Sequence, residues 1–552
     1  MLSLNEKDLY RLLLDLVSIP SVSYSAEENR VAEFIVGILG ELDYFRRNPS
    51  HLRLLPIDED RLGRSAVAAL VKSAPATERT VVITGHFDVV DAGACGHLKH
   101  LAFSPEEYTR RVGELEIPEE ARADLASGEY LFGRGVSDMK AGIALEMCLL
   151  AEVSRLDSFP ANVLFLAVPD EENSSAGMRG AVPWLVRLRE EWGVDYVACL
   201  NAEPSVGGRS SPAAVYVGTI GKLMPFFLCA AREAHVGDYY DGVSSSLVMA
   251  HLAMLLEGAP ETAEEHEGER FPPAACLRFR DLVRNYSVTI PERAVACYNV
   301  LTVSKTPARV LDEMKETAER ALDMTLERLA GYGEKAGTGT RFAGRVLSFA
   351  ELAERARRRT DGFDAALKEF TESLPDSLDE RERCIEAASF LLDLSGEKGP
   401  LIVVGFLPPY YPPRLNRRET PGELSLLRAA RRLVEEAAPS GVEISMVEVF
   451  KGIMDMSYLG FQGEPSELDA LAENMPLWGS AYRFPLEDLK SLDVPIANFG
   501  PLGKDDHKNS ERINLPYFLR VLPPLFMRFV ELMALEADAE GERGLENRSN
   551  NP

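Results

Sequence analysis

Strand-length apolar runs alternate with amphipathic helical stretches through the first two hundred residues, and that order is best accommodated by helices packed around a mostly parallel sheet. The runs TVVITGHFD from Thr80, NVLFLAVPDEE from Asn162 and YVACLNAEP from Tyr196 are short and β-rich. Val31, Phe34, Ile35, Ile38, Leu39 and Leu42 recur at helical spacing, and RGAVPWLVRLREEW, between the last two runs, reads as a helix. In an α/β sheet of this kind ligands bind beyond the carboxyl ends of the strands. His86, Asp88, Glu171, Glu172 and Glu203 all fall at such ends.

A chain of 552 residues exceeds one ordinary core, and the pattern changes near Ala213. AAVYVGTIGKLMPFFLCAA reads as two strands around a Gly turn. A helix (SSSLVMAHLAMLLEG), a strand (ERAVACYNVLTVS) and a long helix from Arg309 follow. This order suggests an open-faced, ferredoxin-like α+β domain over 214–339, inserted into a catalytic domain whose first part is 1–213. FAELAERARRR and ERCIEAASFLLDL mark a helical insert over 340–398. PLIVVGFLPPYYPP opens the second part of the catalytic domain, 399–540, and 541–552 reads as a disordered tail.

Charge and cysteine usage exclude several classes of function. A formal charge of −27 argues against nucleic acid and anionic membrane as partners. No apolar run approaches the roughly 20 residues that span a bilayer, and MLSLNEKDLYRLLLDLVSIP reads as an amphipathic helix rather than a secretory signal. The seven cysteines, at 95, 148, 199, 229, 276, 297 and 384, form no C-x-x-C pair, which fits a reducing cytoplasm and buried, inert thiols. No G-x-S-x-G elbow is present for a serine hydrolase. GTIGK lacks the spacing of a phosphate loop.

What remains is a metal-ligand constellation. A hydrolytic two-metal site needs imidazole and oxygen ligands, one anion shared between the ions, and a base for water. In GHFD, His86 and Asp88 stand two apart on an extended chain and share a face, so Asp88 can orient the ring. GRGVSDMKAG places Asp138 in a Gly-rich loop before a helix. PDEENSSAG sets Glu171 and Glu172 side by side past a strand, where one can bind metal while the other works as base. NAEPS ends a strand with Glu203, and GPLGKDDHKNSERI brings His507. Each piece is common alone; five in order at strand ends are not.

This set resembles the M20 metallopeptidases and aminoacylases, which include carboxypeptidase, acetylornithine deacetylase and succinyl-diaminopimelate desuccinylase types. The resemblance implies two divalent ions, zinc foremost, with cobalt and manganese as alternatives. His86, Asp138 and Glu203 would hold one ion. Asp138 would bridge to the second, completed by Glu172 and His507. Glu171 would be the general base. CAAREAHVGDYYDGVSSS is similar to the family's lid motif, which implies that His235 steadies the oxyanion and that the inserted domain serves as lid and homodimer contact. KGIMDMSYLG, with Asp455, resembles the segment lining the substrate end. SVTIPERAVACYNV resembles the family's N-x-I-P segment followed by an arginine-bearing strand, but neither the asparagine nor the arginine sits where that pattern has it. The chain length, the helical insert and the long interval between His86 and Asp138 resemble the RocB-type arginine-utilisation branch. The implied activity is hydrolysis of an amide bond in a small N-acyl amino acid or short peptide, with an aminopeptidase or dipeptidase and a non-catalytic metal-binding relative as the alternatives.

Overall fold

The run NVLFLAV is buried at every position, as expected of a strand covered on both faces, and it forms Asn162–Val168 inside an eight-stranded sheet. The computed structural model describes residues 2–205, 213–283 and 288–549. They divide into a larger unit (1–219, 414–461 and 485–552) and a smaller one (220–413 and 462–484).

In the larger unit the strands lie in the order Leu52–Pro56, Ser65–Val71, Asn162–Val168, Arg79–His86, Asp195–Asn201, Ile496–Asn498, Ala213–Tyr216 and Ile444–Val447. The four central strands, from Asn162–Val168 to Ile496–Asn498, run parallel. An antiparallel hairpin extends the sheet on one side, and a parallel pair antiparallel to Ile496–Asn498 extends it on the other. The expected α/β class is therefore present. In register, His86 stands beside Val168 and Thr84 beside Asn201, so three strands deliver their following loops to one edge of the sheet.

The helices follow from their apolar spacing. Glu6–Val17 buries Leu9, Leu12, Leu13, Leu16 and Val17, and the Asn5 side chain caps it by accepting from the Asp8 N–H at 2.9 Å. Lys140–Val153 is apolar on nearly all sides and correspondingly buried. Both join one core with Leu426, Leu433, Phe526 and Phe529 from the helices Pro421–Ala437 and Leu522–Ser549. That last helix runs through most of 541–552, the segment expected to be a tail. Its Glu and Arg residues and Leu545 favour helix, and residues 550–552 lie outside the described residues. No helix among the described residues is long and apolar enough to cross a membrane.

In the smaller unit, Gly221–Ala230, Ser245–Leu256, Ala275–Asp281, Arg293–Thr302, Pro307–Ala336 and Leu401–Tyr411 follow one another as β-α-β-β-α-β. The sheet order is Ala275–Asp281, Arg293–Thr302, Gly221–Ala230, Leu401–Tyr411, Arg345–Ser348. The first four strands have the ferredoxin-like arrangement. Three expected boundaries move. Ala213–Tyr216 belongs to the larger sheet, because it pairs with Ile444–Val447. Leu401–Tyr411, assigned from sequence to the catalytic domain, pairs instead with Gly221–Ala230 and Arg345–Ser348. It is buried throughout, and an apolar run of that kind does not specify which sheet receives it. The helical insert is part of this unit too, since Leu352, Ala356, Ile385, Leu391 and Leu392 share a core with Phe226, Leu228 and Val403.

Candidate metal centre

His86 ends its strand with the ring almost wholly enclosed, at 2% exposure. Its Nδ1 lies 3.0 Å from the Asp88 backbone oxygen and 3.4 Å from Asp88 Oδ1, which turns Nε2 toward Asp138 Oδ1 at 3.0 Å and Glu203 Oε1 at 3.2 Å. Asp88 does more than orient this ring. Its two oxygens accept the backbone N–H groups of Glu171 (3.0 Å) and Glu172 (3.2 Å), and the Ser23 hydroxyl donates to it at 2.7 Å. One buried carboxylate thus fixes the imidazole and the adjacent glutamates. Burial works against its charge, but His86, Ser23 and the Glu171 N–H hold its pKa below the usual value.

His507 completes the constellation from the far end of the sequence. Its Nε2 lies 3.0 Å from Asp138 Oδ2 and 2.9 Å from Glu172 Oε1. Two groups result, His86–Asp138–Glu203 and Asp138–Glu172–His507, each with one ligand atom per residue and all such atoms within 4.8 Å of one another. Asp138 belongs to both, facing each group with a different oxygen. Two imidazoles and three carboxylates converging in this way suit a pair of divalent ions. The two groups differ in enclosure, because the His507 side chain is 49% exposed.

The electrostatics favour cations at the centre. Burial, with the charge of Asp138, pushes Glu203 up to about 8 although His86 opposes it. Burial also holds Glu171 well above the carboxylate range, with His86 opposing and Asp455, Glu172 and Glu203 adding. Burial opposes charge on His507, yet Asp138 and Glu172 outweigh it and push the ring up to about 11.

Asp455 is buried at 3% exposure, faces the Ser175 hydroxyl, and is one of the charges acting on Glu171. His235 lies in the smaller unit, where it is exposed and its Nδ1 accepts the Gly237 N–H at 3.1 Å. In SVTIPERAVACYNV, Arg293 bonds Ser389 and Asp393, and Ser287 lies outside the described residues.

The sequence did not reveal the residues that hold these loops. Glu511 is buried, pairs with Arg134, and accepts the Gly135 N–H at 2.7 Å, while Arg134 donates to the His507 backbone oxygen at 2.9 Å. This pair ties the Asp138 loop to the His507 loop. Arg64 is buried against Asp170 and Asp60 and lies 3.2 Å from Glu28. Asp170 in turn accepts the Ser174 hydroxyl at 2.8 Å and the Ala176 N–H at 3.1 Å, which shapes the turn carrying Glu171 and Glu172. A charged residue beside a motif was the only available signal, and most such residues are solvated.

The family model described as peptidase family M20/M25/M40 matches residues 82–471, a span that holds every candidate residue except His507. The chain is 34% identical over 551 residues to the uncharacterized protein YqjN of Bacillus subtilis (strain 168), covering 97% of this chain and 98% of that protein. It is 30% identical over 529 residues to protein RocB of the same organism, covering 94% and 93%. Among solved structures, the di-peptidase Dug1p from Saccharomyces cerevisiae aligns with a TM-score of 0.56 at 12% identity over 96% of both chains. At that identity the likeness shows the fold alone.

Proposed function

Given that this chain belongs to peptidase family M20/M25/M40 and is a metal-dependent hydrolase of the M20 type, we propose that it cleaves the amide bond of a small, arginine- or ornithine-related N-acyl amino acid. The observation that carries the chemistry is Asp138, whose two oxygens face two separate ligand groups. His86, Asp138 and Glu203 would hold one divalent ion, and Asp138, Glu172 and His507 the other, with zinc the first choice for this nitrogen and oxygen set. Bound there, the ions supply Lewis-acid polarisation of the carbonyl and acidify water.

The remaining steps are assigned to side chains. Glu171 takes the proton of the attacking water and returns it to the leaving nitrogen. Its backbone N–H on Asp88 keeps it in register with His86. Asp455 borders the base at the substrate end of the site. His235, the lid histidine of the resemblance, steadies the oxyanion. The choice of amino acid rests on the resemblance to the RocB-type branch. Seven free cysteines, six of them buried, support a reducing, cytoplasmic setting. Exposed Leu277 and Phe279 on the edge strand Ala275–Asp281 support a homodimer through the smaller unit.

A substrate panel tests the reading. Zinc- or cobalt-loaded protein is assayed on N-acyl arginine, N-acyl ornithine, other N-acyl amino acids and dipeptides, with chelated protein and Glu171→Gln as controls. Metal-dependent turnover of the N-acyl arginine or ornithine compounds is the expected result. A preference for dipeptides would transfer the assignment to a peptidase. Absence of turnover at full metal loading would favour a non-catalytic relative.

A further inference from the structure

The interval between His86 and Asp138 contains a separate piece of structure. Residues 92–132 form short helices, among them Pro105–Arg111 and Glu119–Ser127, around a small core of their own: Cys95, Leu98, Ala102, Tyr108, Val112 and Phe132. The strand that closes this segment, Tyr130–Phe132, pairs with Arg512–Asn514, which pairs with Gly503–Lys504. The hairpin so held has His507 in its loop. His507 has a φ of +68°, a conformation that a residue with a side chain keeps only when its surroundings hold it there.

The contacts between segment and hairpin are specific. Asp124 Oδ2 accepts from Lys504 Nζ at 2.9 Å and from Arg512 Nε at 2.8 Å, so one oxygen joins the two strands of the hairpin. Arg512 also donates to Asp505 Oδ2 at 2.6 Å, two residues before His507. Lys504 reaches Glu120 at 3.0 Å. At the other end of the loop, the Tyr108 hydroxyl donates to the Asn509 backbone oxygen at 2.7 Å, and Asn509 Nδ2 donates to the Glu116 backbone oxygen at 3.0 Å. His507 is thus flanked on both sides by residues anchored to the segment, although its own side chain is half exposed. Nothing comparable is needed by His86, which stands on a central strand of the sheet.

We propose that segment 92–132 is a clamp that sets the affinity of the Asp138–Glu172–His507 ion site separately from that of the His86 site, with Asp124 as its main positioning residue. The inference rests on the two-ion reading above. Asp124 touches neither ion nor substrate; it acts by fixing where the His507 loop sits.

The test is a metal titration of chelated, full-length protein, followed by equilibrium dialysis with metal analysis and by the visible spectrum of Co2+. Wild-type protein is expected to take up two ions. Asp124→Asn should bind the first ion as wild type does and the second about 10–100-fold more weakly, the usual cost of losing a residue that orients a metal ligand. Tyr108→Phe should weaken the same ion by less, and Asp124→Glu should recover most of the loss. A second ion bound as tightly by Asp124→Asn as by wild type would overturn the clamp, and so would equal weakening of both ions. If Asp124→Asn fails to fold, Tyr108→Phe with an unchanged second-ion affinity overturns it as well. Wild-type protein taking up a single ion would overturn the two-ion reading itself.

Discussion

Replacing Arg64 by Met isolates the contribution of the buried charge beneath the glutamate turn. Arg64 is 2% exposed, and its guanidinium faces Asp170, Asp60 and Glu28. Burial and the nearby Asp88 push Glu28 up to about 9, with Arg64 opposing, so Glu28 is neutral at pH 7 and the cation balances Asp60 and Asp170. Methionine fills much of the space but leaves Asp170 without its counter-ion. Breaking a buried pair from one side costs about 3–5 kcal/mol. For a larger unit of roughly 330 residues, an unfolding entropy near 2.1 cal/mol/K per residue turns that cost into a drop of about 4–7 °C in Tm. Differential scanning calorimetry of the chelated protein at pH 7 measures the drop. In wild type, the raised Glu28 has a separate effect. Its folded value lies above its unfolded value of about 4.5, so the stability it contributes is fully present below that value and is lost as pH rises toward about 9. A Tm within 1 °C of wild type at pH 7 would refute the reasoning.

Other outcomes test the site directly. Glu171→Gln should lower kcat by about 10²–10⁴-fold with the metal content unchanged; near-normal turnover would remove Glu171 from the role of base. Glu172→Ala should reduce bound metal from two ions to one, read by elemental analysis, and an undiminished stoichiometry would exclude it as a ligand. Asp138 and Glu172 keep the His507 ring protonated up to about 11, so an ion entering there displaces a proton. Its affinity should rise with pH between 6 and 9, and calorimetry in buffers of different ionisation enthalpy should detect proton release. A pH-independent affinity would contradict that competition.

The candidate ligands could be picked out because metal chemistry leaves few choices of residue and the sheet leaves few places to put them. His86, Glu171, Glu172 and Glu203 could be placed from the ends of buried strands, and Asp138 from a Gly-rich turn into a helix. The supporting residues were not legible, because Arg64, Arg134, Glu511 and Asp124 look like solvated charges until their partners, which lie far away in sequence, are known. Strand partners were hidden for a similar reason. Leu401–Tyr411 announces a buried strand but not which sheet receives it, since both sheets offer apolar neighbours. Ala213–Tyr216 goes to the larger sheet because a strand some 230 residues later, Ile444–Val447, pairs with it, and no local pattern encodes that pairing.

The sheet order has a consequence for biosynthesis. Asp195–Asn201 has Ile496–Asn498 as its neighbour, and of the two candidate metal groups that share Asp138, one includes Glu203 and the other His507. At about 5–20 residues per second, a ribosome takes roughly 15–60 s to pass from the first of these histidine and glutamate positions to the last. For that interval the nascent sheet carries an open apolar edge and a set of buried carboxylates that lacks one of its two imidazoles. The edge of the sheet and the candidate centre are therefore completed only once the segment around 496–507 has been made.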